Sequence, residues 1–120
     1  MKILGIGVDI ESVERFHGLT IKSDSQFLNK IYTKNELKYC FSHKKHAQHL
    51  AVRFAGKEAV IKAMNGVSGK IFSVKDINII NTDNGSPVVK ISKIYGNARV
   101  LISLSHCHDK AIAFVVVVRD

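Results

Sequence analysis

Proline is nearly missing from this chain: Pro87 is the single one in 120 residues. That excludes a collagen-like repeat and a proline-rich linker. Tryptophan is absent, and Cys40 and Cys107 are the only cysteines. Two thiols are too few for a disulfide framework, so free cysteines in a cytoplasmic protein are expected. Long apolar runs are also wanting. The longest, 111–118, has eight residues, against the ~20 a membrane-spanning helix needs, so no membrane span is expected. Asp9 and Glu11 interrupt the apolar opening too early for a signal peptide. Acidic residues are scarce, 10 against 18 Lys and Arg, for a net charge of +8. That surplus favours acidic partners: nucleic acid, phosphorylated small molecules, an acidic protein or an anionic membrane face.

What is present is a core. Hydrophobic residues make up 46% of the chain, and a chain shorter than the usual ~150 residues per domain is expected to form a single domain, 1–120. Residues 3–10 alternate, with Leu4, Ile6, Val8 and Ile10 on one parity and Gly5, Gly7 and Asp9 on the other. This period predicts a strand whose even positions are buried. Its odd face is stripped by two glycines just before a carboxylate, which invites close approach to the backbone there. Ser12 is a candidate cap for a helix to about residue 19, and a further helix is predicted over 25–32. Thr33-Lys34-Asn35-Glu36 is a capping-box pattern that opens a helix to about residue 41.

Residues 47–64 give the strongest helical signal, with Gly66 as its stop. After a loop, strands are predicted at 74–81 and 88–91 around the turn chemistry of Asp83-Asn84-Gly85-Ser86-Pro87. A short helical turn is predicted over 92–98, then strands over 100–106 and 111–118. Helices between one early strand and a late meander of strands argue an α+β fold with an antiparallel sheet. The last strand is apolar on both parities, so both its faces should be covered, and a second subunit is a candidate for one of them.

The long helix carries the informative anomaly. With residues about 100° apart, Leu50, Phe54 and Ile61 define an expected buried stripe, and Glu58 falls inside it. Lys62 stands beside Glu58, while Arg53 and Lys57 form an i, i+4 pair on the other flank. One reading is a Glu58–Lys62 surface pair worth a few tenths of a kcal/mol. The other is a carboxylate that holds a hard divalent ion, with Asp9 as second ligand and the three cations neutralising a polyphosphate.

The remaining patterns carry less. Gly5-Ile6-Gly7 lacks the third glycine of a dinucleotide fingerprint. His43, His46 and His49 are spaced by three and do not converge from one helix, and no cysteine supports a zinc site there. His106-Cys107-His108 alternates sides on a strand, and Cys107 has no activating constellation. Ser103 and Ser105 share a strand face, either as ordinary hydroxyls or as the lining of a groove with His106 at its rim. Arg15 and Lys22 flank a short helix after Asp9, serving solubility or the docking of an acidic partner.

Three segments together resemble the holo-[acyl-carrier-protein] synthases, the small bacterial 4′-phosphopantetheinyl transferases. They are Gly5-Ile6-Gly7-Val8-Asp9-Ile10 with Arg15-Phe16, then Arg53-Phe54-Ala55-Gly56-Lys57-Glu58-Ala59 with Lys62-Ala63, then Ile102-Ser103-Leu104-Ser105-His106. The resemblance implies the 4′-phosphopantetheinyl transferase fold, an antiparallel sheet packed against one long and several short helices. It implies transfer of 4′-phosphopantetheine from coenzyme A to a serine of apo acyl carrier protein, releasing adenosine 3′,5′-bisphosphate in support of fatty acid biosynthesis. Asp9 and Glu58 match Mg²⁺ ligands. Arg53, Lys57, Lys62, Ser105 and His106 match coenzyme A contacts, and Arg15, with Lys22 after it, matches carrier-protein docking. Glu58, Asp9 and Lys62 are the expected catalytic residues: the serine proton goes to Glu58, directly or through a metal-bound water, with Asp9 as the alternative base, and Lys62 stabilises the leaving group. A homotrimer with active sites between subunits is implied, which would cover the second face of 111–118. Gly56 departs from the family's usual alanine. The contrasting reading from charge alone is a basic nucleic-acid-binding module, for which no stacking-aromatic motif is present.

Overall fold

The computed structural model describes residues 1–68, 73–91 and 97–120, the side chain of Ser68 excepted. The chain opens with β1 (Lys2–Ser12), followed by a single 3₁₀ turn at Val13–Phe16. Three helices follow: α1 (Ile21–Ile31), α2 (Lys34–Phe41) and α3 (His46–Ser68). A second 3₁₀ turn (Val74–Asp76) leads into β2 (Ile77–Asn81) and β3 (Pro87–Ile91), and the chain closes with β4 (Ala98–Cys107) and β5 (Lys110–Arg119). β5 lies between β1 and β4 in a three-stranded antiparallel sheet, and β2 pairs with β3 as a separate hairpin whose β3 lies against β4. This is the expected α+β architecture. No helix among the described residues is long and apolar enough to cross a membrane. The helical turn predicted over 92–98 lies largely outside the described residues.

Local chemistry explains the helix starts. Thr33 Oγ1 accepts from the Glu36 amide at 3.2 Å, and Glu36 Oε1 accepts from the Thr33 amide at 2.8 Å, so the predicted capping box is formed in both directions. The segment after Ser12 is shorter than expected. Ser12 makes no side-chain cap, and Gly18 at φ +78° turns the chain away before a full helix forms. Helix α1 begins earlier than predicted because Thr20 caps it, accepting from Ser23 at 3.1 Å. Gly66 does not stop α3, which runs on to Ser68.

The expected facing of β1 is reversed. Ile6 and Val8 are 64% and 52% exposed, whereas the odd face, with Gly7 buried, lies under α3. The reason is backbone proximity. A Cβ on Gly7 would lie 2.0 Å from the Ala59 carbonyl oxygen, and one on Gly5 would lie 2.0 Å from that of Ala63. The stripped face therefore receives a helix. The small side chains of Ala55, Ala59 and Ala63 make up the sheet side of α3 and are fully buried.

The expected buried stripe of α3 holds at Leu50 and Ala51, which are fully buried, and fails farther along the helix for the same reason. Phe54 and Ile61 sit at the half-exposed margin with Glu58, while Arg53 and Lys57 are enclosed. Burial here follows how closely elements approach rather than how apolar each side chain is. Gly56 fits this pattern: a Cβ there would press on the side-chain tip of Ile79 at 2.7 Å, so its absence seats β2 against α3. β5 is covered on one face along most of its length, and Val118 near its end is buried as well. Ala111, Ala113, Val115 and Val117 are buried against α3, while Ile112 and Phe114 join Ile6, Val8, Ile10 and Leu101 on an open apolar face. Cys40 is buried in the helical part of the core, and Cys107 is exposed at the end of β4.

Candidate active site

The glycine-lined contact brings two distant acids and a lysine to one place. Asp9 follows Gly7 on the α3-facing parity of β1, and Glu58 and Lys62 are one turn apart on the helix laid over it. Lys62 Nζ donates to Asp9 Oδ1 at 3.0 Å and to the Val8 carbonyl at 2.9 Å. The other oxygen, Asp9 Oδ2, is buried with no hydrogen-bond partner among the described residues. Burial raises the pKa of Glu58 above the ordinary carboxylate value; the charges of Asp9 and Glu11 raise it further, and Lys62 opposes them. Glu58 therefore stands within electrostatic reach of two acids and one cation.

Glu11 was not among the expected site residues. Its signal is present in the sequence, because it shares the parity of Asp9 two residues on. Its carboxylate accepts from Arg15 at 2.6 Å, and the Arg15 guanidinium lies over the Phe16 and Phe54 rings at 5.7 and 5.6 Å. Arg15 and Lys22 are both exposed. Across the sheet, Glu11, Ala111 and His106 form one row, so Glu11 and His106 are about 10 Å apart on one face.

His106 leads to a second cluster. Its ring lies 6.4 Å from that of His49, which stacks on His43 at 3.9 Å and meets Tyr39 edge-on at 5.5 Å. Partial burial, then the nearby His43, Arg53 and His106 charges, lower the His49 pKa to about 4. Ser105 belongs to the opposite parity, with Ser103 on the open sheet face, so the structure does not bring Ser105 and His106 to one surface. Beside Lys62 that open face carries a shallow depression of about 330 Å³ lined by Ile6, Gly7, Val8, Lys62 and Phe114.

Two expectations need correction. Lys57 is fully buried, 2.5 Å from Glu36 Oε1, and donates to the carbonyls of Ile31 and Val74 at 2.7 and 3.1 Å. Three acceptors occupy its ammonium, which leaves none of it for a coenzyme A phosphate. Arg53 is 3% exposed, bonded to Asn81 Oδ1 and stacked over Tyr39 at 4.4 Å, with its Nε unpartnered among the described residues. It is a buried cation beside His49 rather than a surface hand for phosphate.

No group of three or more His, Cys, Asp or Glu is arranged to hold a metal among the described residues. Mg²⁺ asks for less: one or two carboxylates, with the remaining positions filled by water and substrate phosphate. Asp9, with one buried oxygen unbonded, and Glu58, crowded by like charge, fit that requirement.

Known proteins resemble this chain over nearly its whole length. A family model described as the 4′-phosphopantetheinyl transferase superfamily matches residues 5–115. A holo-[acyl-carrier-protein] synthase of Protochlamydia amoebophila is 45% identical over 117 residues, covering 94% of this chain and 96% of that protein. Another, of Thermodesulfovibrio yellowstonii, is 46% identical over 115 residues, covering 96% and 98%. Among solved structures, the holo-(acyl-carrier-protein) synthase of Bacillus anthracis in complex with CoA (3′,5′-ADP) superposes with a TM-score of 0.81 at 32% identity, all of both chains being covered. The Helicobacter pylori enzyme in complex with coenzyme A gives 0.78 at 32% identity, covering 94% and 99%.

Proposed function

The chain belongs to the 4′-phosphopantetheinyl transferase superfamily and is a transferase of the holo-[acyl-carrier-protein] synthase type, and we propose that Asp9, Glu58 and Lys62 carry its reaction with the help of Mg²⁺. Coenzyme A is the substrate and acyl carrier protein the acceptor. The observation that carries the site assignment is the meeting of β1 and α3: a carboxylate with one buried, unbonded oxygen, beside a second carboxylate and a lysine.

In the proposed reaction the serine hydroxyl oxygen of the carrier protein attacks the β-phosphorus of coenzyme A. The bond from that phosphorus to the bridging oxygen breaks, and adenosine 3′,5′-bisphosphate leaves. Glu58 takes the serine proton. Lys62, held by Asp9 and the Val8 carbonyl, presents its ammonium to the leaving phosphate. Asp9 and Glu58 would hold Mg²⁺, which supplies positive charge for the phosphoryl oxygens. His106 and Ser105 contact the nucleotide from the two faces at the end of β4, and Arg53 adds positive potential from behind His49. Arg15 and Lys22 dock the acidic carrier, and the +8 charge speeds the encounter in a salt-sensitive way.

The open apolar face supports a homotrimer with active sites between subunits. Ile6, Val8, Ile10, Leu101, Ile112 and Phe114 are 42–64% exposed in the single chain, and a contiguous patch of this kind marks an interface. Phe114→Glu is expected to shift the protein from trimer to monomer in light scattering and to lose transferase activity with it. A variant that remains trimeric and active removes this face from the assembly. In this proposal the protein works in the cytoplasm, as one domain over 1–120, and serves fatty acid biosynthesis.

The deciding experiment is direct. The protein is incubated with coenzyme A, Mg²⁺ and a competent apo acyl carrier protein, and the carrier is weighed by mass spectrometry. The expected result is a gain of one phosphopantetheine, lost when Mg²⁺ is chelated and restored when it is returned. A carrier of unchanged mass refutes the proposed reaction, and a gain indifferent to chelation refutes the metal.

A further inference from the structure

Lys57 and Glu36 are both fully buried, and their pairing reaches far beyond two side chains. Glu36 Oε1 takes the Lys57 ammonium at 2.5 Å and the Thr33 amide at 2.8 Å, and Oε2 takes the Ile79 amide at 2.7 Å. The Lys57 ammonium spends its remaining protons on Ile31 and Val74 carbonyls. One pair therefore ties α3 to the end of α1, the start of α2, the second 3₁₀ turn and β2. Both side chains are fully buried, so displacing either one leaves buried polar groups unsatisfied.

The opposite side of α3 is built differently. There Ala55, Ala59 and Ala63 lie over Gly5 and Gly7. Small side chains on glycines permit close approach but supply no interlocking shape to fix the helix about its own axis. Lys57 lies about 160° around the helix from Ala59, and Glu58 about 100° from Lys57. A helix with side chains has a radius of roughly 5–6 Å, so a 20° turn about its axis carries the Glu58 carboxylate by roughly 2 Å. Misplacement by about 1 Å already costs ~10²-fold in rate at a reacting centre.

We infer that the buried Glu36–Lys57 pair is a positioning device for the transfer: it sets the rotation of α3 and so places Glu58 and Lys62 against Asp9. Hydrogen bonds to four fixed backbone groups specify one angle, where an apolar replacement would fill the space without specifying any. The inference rests on the assignment of Glu58 and Lys62 to the reaction.

The test compares wild type, Lys57→Met and the double variant Lys57→Met/Glu36→Gln, with coenzyme A and apo carrier protein as substrates. Lys57→Met alone strands a buried carboxylate and should melt lowest. The double variant removes that stranded charge and should recover much of the lost melting temperature. Its kcat is nevertheless expected to stay ~10²-fold below wild type, with KM for coenzyme A within about threefold, because the ammonium never meets the substrate. If kcat instead recovers in step with the melting temperature, the pair is merely structural and the inference fails. A raised KM with unchanged kcat returns Lys57 to the coenzyme A contacts and also overturns it. Should the double variant fail to fold by circular dichroism, Glu36→Gln alone, which leaves Lys57 on its two carbonyls, decides by the same split. A wild-type protein that does not modify the carrier condemns the underlying assignment instead, so the two failures are distinct.

Discussion

Glu58→Gln is expected to lower kcat by about 10³-fold or more while the protein keeps its fold. The loss combines the proposed proton acceptor for the serine, a role typically worth 10²–10⁴-fold, with one of the two carboxylates proposed for Mg²⁺. The fold survives because glutamine has the same shape and relieves crowding by Asp9 and Glu11. The sign follows from the raised pKa. A carboxyl whose pKa is higher in the fold than in the unfolded chain stabilises the fold while protonated, and that contribution disappears as pH rises through the folded value. At neutral pH the ionised Glu58 therefore weakens the free protein, and the melting temperature of Glu58→Gln should equal or exceed that of wild type. Steady-state kinetics and a melting curve at pH 7 check both halves. Wild-type turnover in this variant refutes the role given to Glu58.

Gly7→Ala is expected to be, with Gly5→Ala, among the most damaging single-methyl additions at the described positions. Its Cβ would stand 2.0 Å from the Ala59 carbonyl oxygen and 3.0 Å from the Ala59 carbonyl carbon and the Ala63 amide nitrogen. All three belong to the backbone of α3, which cannot swing aside as a side-chain tip can. Either α3 lifts from β1 or β1 leaves the sheet, and overpacking of this kind costs about 3 kcal/mol or more. Denaturant melts should show this loss. What activity remains should fall further than stability alone accounts for, since Asp9 and Lys62 meet across the same gap. Stability within about 0.5 kcal/mol of wild type, the range of ordinary surface substitutions, contradicts the close packing.

These two residues show what the sequence makes legible. The Thr33–Glu36 capping box is readable because cap and partner are three residues apart and the chemistry is local. The glycine-stripped face of β1 is readable as a place of close approach, but not what approaches: a helix more than 50 residues away leaves no local trace. Alternation alone then favours the wrong face of β1, because in an edge strand whose second face is left open, apolar residues can mark the uncovered side as well as the core. Lys57 and Glu36 show the same limit. Each looks like a surface charge, and only the fold reveals that 21 positions of sequence separate the two halves of one buried pair. Asp9, Glu58 and Lys62 nonetheless stand out in the sequence, because a carboxylate one helical turn from a lysine and a carboxylate on a bare strand face are both unusual where a core is expected.

The two cysteines differ in a way that an experimenter can exploit. Cys40 is shut inside the core and its thiol is pushed up to about 12 by burial, so it gives almost no thiolate at neutral pH. Cys107 is exposed, one residue past His106. A maleimide dye added to the native protein should therefore attach at a single position, without any engineered mutation. It would sit at the rim where the nucleotide is proposed to lie, and its fluorescence would report arrival and departure of the carrier protein in real time.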